Sequence, residues 1–247
     1  MDKTGSDLTM DKALVVLSGG QDSTTCVYWA IERFSRENVS CISFDYGQRH
    51  KVELQAAKKV AEIAAIEHEI LAINTFSALG GNALTDAIAV SDNSPESEHS
   101  EPVLPNTFVP GRNLIFLTFA AAYAYQRGIE HIITGVAQTD YSGYPDCREN
   151  TLSSLEQTLR LGMEYDFTIH TPLMNLTKAD TVILAEKLGA MDAMAYTHTC
   201  YNGEQPPCGH CPACLLRAKG FAEAKRSDPL VERFQFFKAS LSVNVDS

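Results

Sequence analysis

Several things are missing from this sequence, and each absence narrows what the chain can do. No apolar run approaches the roughly 20 residues that a membrane span requires. The opening Met-Asp-Lys-Thr-Gly-Ser-Asp also has no apolar core of the kind a secretory leader carries. A cytoplasmic protein without a membrane partner is the expectation. Basic residues are scarce: 20 Lys and Arg stand against 31 Asp and Glu, for a net charge of −11. Residues 91–105 hold Asp92, Glu96, Glu98 and Glu101 with no Lys or Arg, yet setting those four aside still leaves −7. This balance weighs against a nucleic-acid partner, because binding its phosphates needs a basic surface, and no nucleic acid is expected. Two familiar phosphate-binding patterns are absent as well. There is no Gly-x-x-x-x-Gly-Lys-Ser/Thr and no Gly-x-Gly-x-x-Gly.

What remains is an ordinary globular composition, 45% hydrophobic and 21% charged over 247 residues, enough for one large or two small domains. The stretch from 13 to 34 organises it. Ala13 to Leu17 is a short apolar run, as expected of a central strand covered on both faces. Ser18, Gly19, Gly20, Gln21, Asp22 and Ser23 follow as a tight polar loop. Cys26, Val27, Ala30, Ile31 and Phe34 then fall on one helical stripe, with Ser23 as the expected cap. Free backbone N–H groups and hydroxyls at the positive end of a helix make an anion site.

Four further strands are expected, at Val39 to Phe44, Glu69 to Ile73, Glu130 to Gly135 and Phe167 to Thr171. Helices are expected at 50–66, 114–125, 150–163 and 178–188, the last entered through a box formed by Thr177 and Asp180. Five alternations of strand and helix predict an α/β fold, a doubly wound five-stranded parallel sheet. Residues 1–11 read as a mobile tail and 91–106 as an exposed acidic loop; 12–195 would form the α/β domain. Two strand ends, Asp45-Tyr46-Gly47-Gln48 and Gly135-Val136, lie where such a sheet binds its ligand. Arg112, opening a very apolar helix, is a candidate for a bidentate grip on phosphate or carboxylate. Lys178 stands in a first helical turn, where the dipole disfavours a cation, so an anionic partner is expected. The loop from Thr139 to Glu149 is dense in aromatic and charged groups and reads as a binding element.

Seven cysteines are present, and four lie close together as Cys200, Cys208, Cys211 and Cys214. The spacing Cys-x7-Cys-x2-Cys-x2-Cys, with Gly203, Gly209, Pro206 and Pro207 for tight turns, suits a closed tetrahedral zinc site. An iron–sulfur cluster fits the same spacing, and His198 and His210 are alternative ligands. Cys214 is expected to begin the last helix and the metal to pin 196–247 onto the same domain. Cys26 and Cys41 read as core residues.

Ser18-Gly-Gly-Gln-Asp-Ser23 resembles the signature of the PP-loop ATP pyrophosphatases. With Asp45 to Gln48, Val109-Pro-Gly-Arg-Asn113, Asp140-Tyr-Ser-Gly-Tyr-Pro-Asp-Cys-Arg148, Thr171-Pro-Leu173, Lys178 and the cysteine cluster, residues 13–225 resemble the family of 7-cyano-7-deazaguanine synthases. The resemblance implies ATP-dependent conversion of 7-carboxy-7-deazaguanine and ammonium to the nitrile by a cytoplasmic homodimer. It implies ATP, Mg²⁺ with the nucleotide, and structural Zn²⁺. Nucleotide contacts would come from Leu17, Ser18, Gly19, Gly20, Gln21, Asp22, Ser23, Thr24, Thr25, Cys26 and Gly135. Asp22, Ser23, Lys178 and Arg112 would serve catalysis, Asp22 reaching Mg²⁺ and the two cations offsetting charge on pyrophosphate. Asp140, Tyr144, Asp146 and Arg148 would hold the substrate: a carboxylate on its guanine-like edge, Tyr144 stacked on the ring, Arg148 on its carboxylate. Two other classes stay open, an RNA-modifying relative and a non-catalytic nucleotide-binding zinc protein.

Overall fold

A computed structural model describes residues 11–48, 51–73, 75–76, 83–85, 88, 106–138 and 144–243, with side chains to residue 236. The 1–10 part of the expected tail, Asp140, and all of the expected acidic loop but Asn106 lie outside the described residues.

Five parallel strands form the sheet: β1 (Ala13–Val16), β2 (Val39–Asp45), β3 (Glu67–Ala72), β4 (His131–Ile133) and β5 (Thr168–His170). Their order is β3-β2-β1-β4-β5. Ala13 pairs with Val39 on one side and His131 on the other, so β1 is central. The central strand is apolar on both faces, and its alternating side chains feed two cores. Leu14 joins Ile42, Phe44, Leu117 and Ile132 on one face; Ala13 and Val15 join Val27, Ala57, Val60 and Ile133 on the other. Helices α1 (Gln21–Phe34) and α2 (Val52–Ala64) cover the second face, and α3 (Arg112–Tyr125) and α4 (Glu149–Met163) the first. The doubly wound reading holds, with element ends shifted by about two residues, the scatter usual at fraying termini.

The chain then builds α5 (Lys178–Lys187), the short α6 (Met191–Met194), α7 (Pro212–Glu223) and α8 (Pro229–Val243). Here the sequence reading needs correction: the last helix is not the one holding Cys214. Cys214 lies in the first turn of α7, which begins at Pro212, and α8 follows it. Asp228 accepts the N–H of Leu230 at 3.0 Å, and its carboxylate takes Arg217 of α7 at 2.6 and 2.8 Å. That pair is almost fully enclosed, the side chains being 5% and 10% exposed. Among the described residues no helix is long and apolar enough to cross a membrane.

Because winding reverses at β1, the crevice beyond the carboxyl ends of β1 and β4 is the topological switch point. The loop leaving β1 is 17–20, and the described start of the one leaving β4 is 134–138.

Candidate active site at the end of the central strand

The loop after β1 is held from within. Ser23 Oγ accepts the Ser18 N–H at 3.1 Å, lies 3.0 Å from Ser18 Oγ, and donates to Gly20 O at 3.2 Å. Ser23 is therefore not the helix cap expected from sequence. Gly20 holds that position, and no side chain caps it. A helix start without a side-chain cap leaves its first amides for an anion. Gly19 is at φ +86°, and a Cβ there would stand 2.3 Å from Glu53 O and 2.8 Å from Ala57 N. Only glycine lets the loop lie this close to α2.

The other residues expected at the nucleotide divide by exposure. Ser18, Gly20 and Asp22 reach the surface, whereas Leu17, Thr24, Thr25 and Cys26 are buried behind the loop. Thr24 and Thr25 donate back to Gly20 O and Gln21 O at 2.8 and 2.9 Å. Burial, reinforced by nearby Asp22, raises the Cys26 thiol well above its ordinary range and keeps it protonated. Gly135, leaving β4, meets the first turn of α1: a Cβ there would be 2.9 Å from Asp22 C and Ser23 N. Its smallness admits the helix; it presents no polar side chain of its own.

Lys178 comes from α5, far away in sequence, and its Nζ donates to Asp22 Oδ2 at 2.6 Å. The side chains are 10% and 24% exposed, at the mouth of the crevice. Asp22 is an anion partner for a cation placed in a first turn. Behind Lys178 sits Gly220 of α7, where a Cβ would be 2.8 Å from Lys178 Cβ. The cysteine-bearing helix thus backs the site lysine directly.

The same segment walls the loop itself. The backbone N–H of His198 donates to Gly19 O at 2.8 Å, and a Cβ on Gly20 would lie 3.7 Å from both His198 O and Thr199 Cγ2. The His198 ring lies 3.0 Å from Cys200 O through Nε2, and the His210 ring 3.0 Å from Cys208 O through Nδ1. The sulfurs of Cys200, Cys208, Cys211 and Cys214 all lie within 4.8 Å of one another. A tetrahedron of about 2.3 Å metal–sulfur bonds has edges of about 3.8 Å, so the four thiols suit one ion. They complete a shell without either histidine.

Arg112 stands in a different group. Its guanidinium lies 5.9 Å from the Tyr46 ring centre, with Tyr144, Tyr201 and Glu53 around it. Burial works against its charge, but these four neighbours together raise its pKa, so it stays a cation. Burial pushes the Glu53 carboxyl up to about 7, with Arg112 pulling it partway back. No motif marked Glu53 in the sequence, and Tyr201 stood inside the cysteine motif without a role of its own. Gln48 turns inward, accepting the Tyr46 N–H at 2.9 Å and donating to Phe44 O at 3.4 Å. It closes the β2 turn.

Of the residues expected at the substrate, Asp146 is only 4% exposed, and its Oδ2 accepts the Asn113 N–H at 3.0 Å. It caps the start of α3. Tyr144 is 2.6 Å from Thr107 Oγ1 through its hydroxyl and meets Phe108 at 5.4 Å between ring centres. Tyr144 and Arg148 line a cleft of about 420 Å³ with Ala137, Gln138, Glu149 and Asn150. The cleft therefore adjoins the loop leaving β4.

A family model described as queuosine biosynthesis protein QueC matches residues 12–225. The chain is 64% identical over 225 residues to the 7-cyano-7-deazaguanine synthase of Chromobacterium violaceum, covering 91% of this chain and 95% of that one. It is 66% identical over 223 residues to the protein of that name from Laribacter hongkongensis, covering 90% and 95%. The corresponding protein of Clostridium novyi is 50% identical over 218 residues, covering 87% and 96%. The match takes in the β1 loop, Lys178 and all four clustered cysteines, and the chain belongs to the QueC family of queuosine biosynthesis proteins.

Proposed function

We propose that this protein forms 7-cyano-7-deazaguanine from 7-carboxy-7-deazaguanine, ammonia and ATP, acting in the cytoplasm as a homodimer. The observation that carries the reading is the Lys178–Asp22 pair, 2.6 Å long, beside a helix start that no side chain caps. Cation, carboxylate and free amides at one point suit a magnesium triphosphate.

A carboxylate resists ammonia because oxide is a poor leaving group. In the proposed sequence its oxygen attacks the α-phosphorus of ATP and pyrophosphate departs. Ammonia adds to the acyl carbon, AMP leaves with that oxygen, and the primary amide remains. A second ATP takes the amide oxygen in the same way. Loss of AMP and two protons from nitrogen then gives the nitrile. The chain's own part is to position reactants and stabilise charge. Ser18, Gly19, Gly20 and Ser23 cradle the β- and γ-phosphates, Asp22 would hold the Mg²⁺ that accompanies the nucleotide, and Lys178 neutralises the departing pyrophosphate. Arg148, in the cleft, pairs the substrate carboxylate, while buried Asp146 holds the loop in place. Asp140 is then the carboxylate left for the guanine-like edge. The four cysteines would hold a zinc ion, which would supply a cross-link rather than chemistry.

Mass spectrometry of a reaction containing 7-carboxy-7-deazaguanine, ammonium, Mg²⁺ and ATP tests the reading. Nitrile with AMP and pyrophosphate is expected. Nitrile with ADP keeps the overall reaction but refutes adenylation. No turnover by folded, zinc-loaded protein refutes the function.

A further inference from the structure

Among the described residues, three buried side-chain polar atoms have no hydrogen-bond partner: Gln21 Oε1, Thr199 Oγ1 and Arg233 Nε. Two of the three bracket Gly20. Gln21 is the next residue in the chain and only 3% exposed, and Thr199 Cγ2 lies 3.7 Å from where a Gly20 Cβ would stand. An unpaired buried hydroxyl costs free energy, so its persistence beside an anion-binding loop calls for a ligand. Thr199 is half-buried, and it is its methyl that approaches the loop. A 120° rotation about χ1 exchanges that methyl for the hydroxyl. The Ser18 hydroxyl is 3.5 Å from the same point.

We propose that Thr199 is a phosphate ligand of this site, its hydroxyl donating, with that of Ser18, to the terminal phosphates of a nucleoside triphosphate. The site is thereby completed by a residue that lies one position before the first clustered cysteine. The His198 N–H bond to Gly19 O, 2.8 Å long, sets the register between the two segments. Cys200, next along, ties that register to the four-sulfur cluster. This rests on the nucleotide reading of the loop given above.

The test is calorimetric titration of zinc-loaded protein with magnesium α,β-methylene-ATP, which cannot release pyrophosphate, and with AMP. Thr199→Val keeps the shape and removes the hydroxyl; Thr199→Ser keeps the hydroxyl. Zinc content and melting temperature are recorded for each. Thr199→Val is expected to weaken the triphosphate analogue about 10- to 100-fold, the range for a hydrogen bond to a charged acceptor. AMP binding should be unchanged, and Thr199→Ser should stay within about threefold of the parent. Equal binding of the analogue by parent and Thr199→Val overturns the assignment. So does equal weakening by both variants, or a matching loss for AMP, since each indicates disturbed packing. Failure of the parent protein itself to bind the analogue overturns the nucleotide reading and the assignment with it.

Discussion

Two glycine-to-alanine substitutions in helices should diverge, and the difference isolates how the cysteine-bearing helix supports Lys178. Gly162 lies near the end of α4, and a Cβ there meets nothing within 4 Å. Gly162→Ala should therefore show the helix-propensity gain alone, about 0.5–1 kcal/mol. Gly220 is interior to α7 and buried, and its Cβ would be 2.8 Å from Lys178 Cβ and 3.2 Å from Lys178 C. The second contact is backbone, so no side-chain rotation relieves it, and α5 and α7 must move apart. Overpacking of this kind costs about 1–3 kcal/mol. Set against the same propensity gain, Gly220→Ala should come out destabilised by about 0–2.5 kcal/mol. For a chain of this size about 1 kcal/mol moves the melting temperature by about 2–4 °C. Gly162→Ala should melt slightly higher than the parent and Gly220→Ala at the same temperature or lower. The shift should also move Lys178 off Asp22, so Gly220→Ala should lose at least about tenfold in kcat/KM while Gly162→Ala keeps full activity. A Gly220→Ala protein as stable as Gly162→Ala, with full activity, would refute the claim that α7 positions the site lysine.

Other substitutions bear on single contacts. Arg217→Ala leaves Asp228 enclosed without its partner and should cost about 3–5 kcal/mol in urea denaturation; Arg217→Met with Asp228→Leu should recover much of it. Asp146→Ala removes the tertiary cap from α3 and should lower stability by about 0.5–2 kcal/mol, with less effect on KM than Arg148→Ala. Two half-buried groups should tilt the stability–pH curve in opposite directions. The Glu53 carboxyl, raised by burial from 4.5 to about 7, binds its proton more tightly when folded. Its contribution is complete below pH 4.5 and lost as pH rises to 7, a slope that Glu53→Gln should abolish. The His170 ring, lowered from 6.5 to about 4 by burial and then by His131 and Arg33, is held neutral. Its contribution is present above pH 6.5 and lost on acidification towards 4, a slope that His170→Asn should remove.

The sheet and most of its helices were legible because local signals dominate there. Alternating apolar faces, a glycine loop and the Thr177–Asp180 box each have a short-range signature, and the box forms as expected. The cysteine spacing was equally plain, and the four sulfurs do come together. What could not be read were contacts between distant segments. Asp22 and Lys178 are 156 residues apart, and nothing local says that one meets the other. The apposition of His198 and Thr199 to Gly19 and Gly20 leaves no periodic trace either. Buried polar residues deceive in a related way. Asp146 and Gln48 look like ligand groups in a string of letters, yet Asp146 accepts from the Asn113 N–H and the Cys147 thiol, and Gln48 bonds the backbone of its own turn. A carboxylate that caps a helix and one that grips a substrate have the same chemistry until the partner is known.

The most direct test of the central claim follows oxygen. With both carboxylate oxygens of 7-carboxy-7-deazaguanine labelled with ¹⁸O, adenylation at the β1 loop predicts that each oxygen leaves on a separate AMP, while pyrophosphate stays unlabelled. The amide, trapped before the second activation, should retain one label. Label appearing in inorganic phosphate with ADP, or AMP released without label, would contradict the account.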